Sequence, residues 1–304
     1  MSTQMSIQTP APPDAAGTAR RNRHRRPSAG LIISLVVLIG LIVVSIFAPL
    51  LAPYSPTAQD LTHRLAGPSA AHWLGTDSYG RDVLSRLIYG GRSAFLGVLI
   101  TMGVALVLGI PWGLAAGYWP RVAGILLMRV ADAFLAFPAL VLAIAITGVL
   151  GPNLVSSMVS VGIVFAPFIA RLMRSGVLEA RQRDYVTSAR LSGCPHPLII
   201  VRHILPTAIG SVVVQATVLT GLAFIIEGAL SFLGLGVQAP TPSWGGDLYD
   251  AYQVILGSPG QVIAPGLVIA VVVLCVYRLG DAVRDALVLT GRTDVIEQEP
   301  IISA

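Results

Sequence analysis

Long uncharged runs separated by short arginine-bearing segments set the pattern of this chain. A helix needs about 20 mostly apolar residues to cross the hydrocarbon core of a bilayer. The first such run, residues 31–51, is 21 residues long and follows Arg20, Arg21, Arg23, Arg25 and Arg26. It is longer than the roughly 7–15 residues of a signal-peptide core, and it ends in Pro49 and Pro53 instead of a small-residue cleavage site. It therefore reads as an uncleaved first span over 30–53. A second span is expected between Arg92 and Arg121. Residues 133–170 are uncharged for 38 positions, too many for one helix, and Gly151-Pro152-Asn153 breaks them at a turn signal. That predicts a third span over about 125–150 and a fourth over about 154–173. A fifth follows between Pro206 and Glu227, and a sixth over about 260–277. Residues 228–246 are also uncharged, but they hold five glycines together with Pro240 and Pro242. Lipid leaves broken backbone without partners, so this stretch belongs outside the membrane.

Composition sharpens the class. Hydrophobic residues make up 54% of the chain and charged residues 12%, against roughly 25% in a soluble domain. A cytosolic enzyme and a disordered chain are both excluded. All twenty basic residues are Arg. With six spans and the N-terminus inside, 16 of them fall in cytoplasmic segments and four (Arg64, Arg81, Arg86, Arg92) outside, in keeping with the positive-inside rule. Spread over membrane-flanking segments, this charge does not make a nucleic-acid surface. The expected organisation is an all-α integral membrane protein with six transmembrane helices and both termini cytoplasmic. A basic tail (1–29) precedes the first helix (30–53). An extracytoplasmic segment (54–92) leads into a five-helix core (93–287), and a cytoplasmic tail (288–304) ends the chain. Inside the core lie an inner loop (174–206) and an outer segment (233–258).

Candidate chemistry is sparse. An ionisable residue deep in a bilayer is a functional candidate by default, and Asp132 and Glu227 come nearest to qualifying. Asp132 is expected to pair with Arg129 three residues before it. Glu227, at the outer end of the fifth span, has either a structural role or a place in the outer mouth of a path. No mid-span chain of Asp, Glu, His or Arg supports an ion-driven secondary transporter. No P-loop, HExxH or GxSxG motif supports an enzyme. Cys194, His196 and His203 lie in a Pro-broken segment that reads as a solvated loop rather than a metal site, and Cys194 and Cys275 make no disulfide framework. No catalytic residue, metal or cofactor is assigned to this chain.

The inner loop is the informative segment. Its pattern predicts a helix over 179–192, with Tyr185 and Ala189 on one face and Val186 above Arg190. Gly193 stops it, and Pro195 and Pro197 confirm the stop. So short a helix either lies on headgroups or docks into a protein groove.

The run Tyr185-Val186-Thr187-Ser188-Ala189-Arg190-Leu191-Ser192-Gly193, followed by His203-Ile204-Leu205-Pro206, resembles the EAA loop of ABC-importer permeases. In that motif E-A-A is followed by three residues, G, nine residues and I-x-L-P. The spacing is retained, but Thr187 stands where the family has Glu, Ser188 where it has Ala, and His203 where it has Ile. Other stretches are similar to the dipeptide/oligopeptide/nickel group of these permeases, closest to its C-type subunit. They are Gly75-Thr-Asp-Ser-Tyr-Gly-Arg-Asp-Val-Leu-Ser-Arg86, Arg129-Val-Ala-Asp132 with Phe137-Pro138, Glu227-Gly-Ala-Leu-Ser-Phe-Leu-Gly-Leu-Gly236 with Pro242-Ser-Trp-Gly245, and Gly280-Asp-Ala-Val-Arg-Asp-Ala-Leu287.

The resemblance implies a type I ABC-importer permease fold in a bacterial plasma membrane. The implied partners are a second permease subunit, one or two ABC ATPase subunits carrying ATP and Mg, an extracytoplasmic substrate-binding protein and membrane lipids. It implies peptide cargo, with nickel or glutathione as alternatives. Residues 185–193 would dock on the ATPase, with Tyr185, Val186 and Ala189 packed in its groove and Gly193 allowing a sharp exit. On the outer side, Asp60, Asp77, Asp82, Asp247 and Asp250 either meet basic patches of a binding protein or belong to a folded cap held by Trp73, Tyr79 and Trp244.

Overall fold

The structure, a computed structural model, describes the backbone of residues 29–296 and side chains between 30 and 287. The tail expected at 1–29 lies outside the described residues apart from Ala29. Of the tail expected at 288–304, only helical backbone to Ile296 is described. The described chain is helical: α1 (Ala29–Ile46), α2 (Ala48–Leu51), α3 (Val83–Tyr118), α4 (Val122–Leu135), α5 (Ala139–Leu150), α6 (Leu154–Ala180), α7 (Asp184–Leu191), α8 (His196–Ile199), α9 (Leu205–Phe232), α10 (Trp244–Gln253) and α11 (Ile263–Ile296).

Four stretches are long and apolar enough to cross a membrane: Val83–Tyr118, Leu154–Ala180, His196–Phe232 and Pro259–Leu287. The expected third span is not one helix. α4 and α5 meet at 93°, and only as a bent pair do they make a fifth candidate. Pro138 causes the break: it lacks an N–H, and its ring pushes the preceding residue out of helical geometry. In α1, Gly30–Ile46 is apolar but shorter than the other candidates. The chain thus carries four to six candidate spans.

Helix ends also differ from the expected boundaries. α3 starts at Val83, so the last ten residues expected outside are its first turns. α6 continues seven residues past 173, and helical structure resumes at His196, passing through a wide π-type turn at Ile200–Ile204 into α9. Backbone hydrogen bonding does not stop where hydropathy does. Helices run on past the uncharged stretches, with Arg86, Arg171 and Arg174 on the continuing turns. Pro111 and Pro167 sit inside α3 and α6 without ending them, as neighbouring helices in a membrane permit.

α3 and α6 run side by side in the same direction, and glycine sets their separation. A Cβ on Gly109 would lie 2.6 Å from Ile169 Cβ, one on Gly113 2.5 Å from Met173 Cβ, and one on Gly117 2.6 Å from Val177 Cβ. From the other side, a Cβ on Gly162 would meet Val104 Cβ at 2.6 Å. Small residues let backbones approach this closely, and dispersion over that contact is what holds helices together in lipid. Thr101 Oγ1 donates across the seam to Met158 O at 3.1 Å. Phe165, Met158, Ile169 and Met173 are fully buried in the core beside it. α9 returns antiparallel to α6, with Gly176 against Ala208, and α11 packs on α9 through Gly280 against Thr217 and Gly221 against Tyr277. The inner end, expected to face the cytoplasm, therefore brings together the C-termini of α3 and α6, α7, and the start of α9. The outer end brings together the 52–82 segment, the first turns of α3, and α10.

Candidate functional site

At the inner end, α6 ends at Ala180 and α7 occupies Asp184–Leu191, so the helix expected over 179–192 is split by a turn at 181–183. Asp184 in the first turn and Arg190 in the last complement the helix dipole. The stop is a Schellman arrangement: Cys194 N–H donates to Ala189 O at 3.1 Å and Gly193 N–H to Arg190 O at 3.1 Å. Gly193 holds φ +76°, and nothing lies within 4 Å of where its Cβ would be. Its constraint is therefore the left-handed backbone and not the bulk of a side chain.

The faces of α7 correct the expected division of labour. Val186 is fully buried in this chain's own core, and Ala189 packs against the same core. Val186 is therefore not presented to a partner groove, and Ala189 is half-covered. Tyr185 is 43% exposed, and its hydroxyl pairs with Thr207 Oγ1 at 2.9 Å. Thr187, Ser188, Arg190 and Leu191 face outward, Leu191 at 85% exposure. A fully buried Val and an almost bare Leu on one eight-residue helix make it a rigid projection with an apolar tip.

Beneath α7 lies Tyr118, at the end of α3 and 5% exposed. Its hydroxyl pairs with His196 Nδ1, and the guanidinium carbons of Arg181 and Arg190 lie 5.6 and 5.7 Å from its ring centroid. Arg181 Nη1 donates to Gly117 O at 2.9 Å. Burial, followed by the charge of Arg190, pushes the Arg181 pKa down. Sequence reasoning passed over this cluster, because its members come from three separate segments. His203 stacks beside Tyr185 with ring centroids 6.3 Å apart. Among the described residues no group of three His, Cys, Asp or Glu could hold a metal.

At the outer end, four of the five aspartates expected to face a binding protein are turned inward. Asp82 caps α3: its Oδ2 accepts from Ser85 N–H at 2.8 Å and Ser85 Oγ at 2.7 Å, while Oδ1 pairs with His72 Nδ1 at 2.9 Å. Asp77 accepts the N–H groups of Tyr79 and Arg81 in a tight turn closed by Gly80 at φ +74°. Its other oxygen pairs with Arg81 Nε at 2.5 Å. Arg81 then reaches Asp250 at 2.6 Å. Arg86 Nε donates to Asp247 Oδ1 at 2.7 Å, and Arg86 Nη1 to Pro56 O at 3.0 Å. Asp77, Asp247 and Asp250 are spent inside the chain on Arg81 and Arg86, and Asp82 on Ser85 and His72, partners the sequence reading did not find. Asp60 remains exposed; hydrogen bonds from Thr62 and His63 hold its carboxyl down at about 2.

Of the three aromatic residues expected to hold a cap, one does. Trp244 is 2% exposed, and its Nε1 donates to Leu87 O at 2.9 Å. Trp73 is 70% exposed and Tyr79 46%, the latter under the Arg81 guanidinium. Glu227 is 1% exposed and accepts from Ser231 Oγ at 3.0 Å, within its own helix. Asp132 pairs with Arg171 at 2.7 Å, not with Arg129, because α4 packs against α6.

Comparison with known proteins gives the arrangement a context. Residues 109–288 match the family described as binding-protein-dependent transport system inner membrane component, and residues 28–68 match the N-terminal TM domain of oligopeptide transport permease C. The dipeptide transport system permease protein DppC of Alkalihalophilus pseudofirmus is 42% identical over 256 residues, 84% of each chain. The di/tripeptide permease DppC of Pseudomonas aeruginosa is 41% identical, covering 85% of this chain and 87% of that one. The glutathione transport system permease protein GsiD of Pectobacterium atrosepticum is 39% identical over 87% of each. Among solved structures, the methionine ABC transporter MetNI in an inward-facing conformation aligns with a TM-score of 0.53 at 18% identity, over 66% of this chain and 96% of that one. That likeness is one of fold.

Proposed function

Because the chain belongs to the family of binding-protein-dependent transport system inner membrane components, as a non-catalytic, multi-pass subunit of the inner membrane, we propose that it forms half of the channel of an ATP-driven importer of di- and oligopeptides. Transporters of this family work with ATPase and binding-protein partners in general. In the proposed assembly a second, homologous permease completes the channel, and one or two ATPase subunits bind ATP and Mg. Six spans place both termini in the cytoplasm, with α1 and the α4–α5 pair as the first and third. Peptide cargo draws its support from the dipeptide and di/tripeptide permeases at 42% and 41% identity. The glutathione permease at 39% favours a second reading, and glutathione is itself a tripeptide.

The observation that carries the proposal is the face of α7. Val186 and Ala189 fasten the helix to the core, while Thr187, Ser188 and Leu191 stand out from it. A helix fastened on one side and bare on the other passes on a push without absorbing it. When ATP closes the ATPase pair, α7 moves as a rigid lever and rocks the helices behind it, and hydrolysis resets them. Reconstitution in vesicles tests this. The assembled complex should take up a labelled dipeptide in a manner dependent on ATP and on the binding protein, and this chain alone should carry nothing. Vigorous flux through the lone subunit would overturn the proposal.

A further inference from the structure

Arginines at the inner end carry a charge that the described residues do not answer. Arg183 pairs with Glu179 at 2.8 Å and Arg171 with Asp132, yet among the described residues no carboxylate lies within ion-pair distance of Arg174, Arg181 or Arg190. The Nε atoms of Arg174 and Arg181 are buried without a hydrogen-bond partner. A buried donor left unpaired is costly, and so are two like charges gathered on one ring. The Tyr118 ring offsets part of this through its π face, but it supplies no acceptor for a fork of N–H donors.

We infer that Arg181 and Arg190, laid over Tyr118 beneath α7, form a receptor for a carboxylate side chain of the docking ATPase. The inference rests on the proposed function, and it names the chemistry the partner must bring. Arg190 is exposed on the same helix as Thr187, Ser188 and Leu191, so a subunit seated on that face reaches it. A guanidinium fork takes a carboxylate in two parallel hydrogen bonds. Thr187 is uncharged where the EAA motif has its carboxylate, and the helix's own carboxylate, Asp184, lies in the first turn, so the charge at the outward last turn of α7 is that of Arg190. The acidic group then comes from the partner.

Binding of the ATPase subunits to the purified permease pair in nanodiscs, at low and high salt, tests the inference. Wild-type affinity should fall with salt. R190Q should bind about threefold more weakly at low salt, the loss expected of one exposed charged pair of roughly 0.6 kcal/mol, with a flatter salt dependence. R190K should keep most of the affinity. R190Q avoids disturbing the fold, whereas Arg181 also bonds Gly117 O and is left intact. Equal binding of R190Q and wild type at every salt overturns the inference and leaves the importer reading standing. No ATPase binding by wild type overturns both. A defect that appears only when anionic lipid is present assigns the site to headgroup phosphate and overturns the carboxylate. If deletion of residues 289–304 reproduces the R190Q defect, the anion is the chain's own tail, and the inference fails.

Discussion

Arg86 and Asp247, separated by 161 positions in the chain, meet as an ion pair with side chains only 6% and 11% exposed. The pair fastens the first turn of α3 to α10 and so closes the outer end. Breaking a buried pair leaves one charge without compensation, at a cost of about 3 kcal/mol. R86Q should lower the unfolding temperature of the purified chain and open the 52–82 segment to limited proteolysis. Cleavage of that segment at the wild-type rate would show that the pair does not hold the cap.

The same pair makes the cap sensitive to pH. Burial pushes the Asp247 carboxyl up from its usual 3.8 to about 6, with the Arg86 charge pulling the other way. Between those values the folded chain holds a proton that the unfolded chain has released. Stability from this group therefore rises as pH falls through about 6 and levels off below about 4, by at most about 1.4 kcal/mol per pH unit. D247N cannot take up that proton. The gap in Tm between wild type and D247N should shift in favour of wild type as buffer is taken from neutral to about pH 5. Parallel pH profiles would remove Asp247 from the account.

α7 separates two kinds of loss. V186A removes two buried methyl groups and should cost about 2 kcal/mol of stability. L191A removes a side chain already in solvent and should leave the unfolding curve within about 0.5 kcal/mol of wild type, yet weaken ATPase binding. If L191A instead destabilises the isolated chain and binds the ATPase normally, the outward face of α7 has been assigned to the wrong residues.

Much of this fold is legible in the sequence because lipid is a strict solvent. Uncharged runs mark spans, and Gly151-Pro152-Asn153 marks the break between α5 and α6. Gly193 marks the end of α7, where φ is +76°. The bend at Pro138 went unread because the chain stays uncharged from 133 to 170, so charge marks no boundary there. The site was less legible than the fold. Which face of α7 is buried depends on where α3 and α9 lie, which eight residues of local pattern do not encode. The outer aspartates looked like surface charge because Arg81 and Arg86 sit in the same segment, while two of their partners, Asp247 and Asp250, lie more than 150 residues away.

The α3–α6 seam supplies a test with its own control on the same helix. A methyl at Gly113 would fall 2.5 Å from Met173 Cβ and against Ala170 O, so α3 and α6 must part to admit it. Overpacking of that kind costs typically 1–3 kcal/mol. Gly103 also lies on α3, but nothing stands within 4 Å of its Cβ position. G103A therefore gains helix propensity, up to about 1 kcal/mol, with no clash to offset it. G113A should lower the unfolding temperature in detergent, and G103A should hold or raise it. The Tyr118 platform hangs from the inner end of the same seam through Gly117 and Val177. G113A should accordingly also weaken ATPase binding while G103A leaves it alone. Equal thermal behaviour of the two variants would mean that close backbone approach does not set the spacing of α3 and α6.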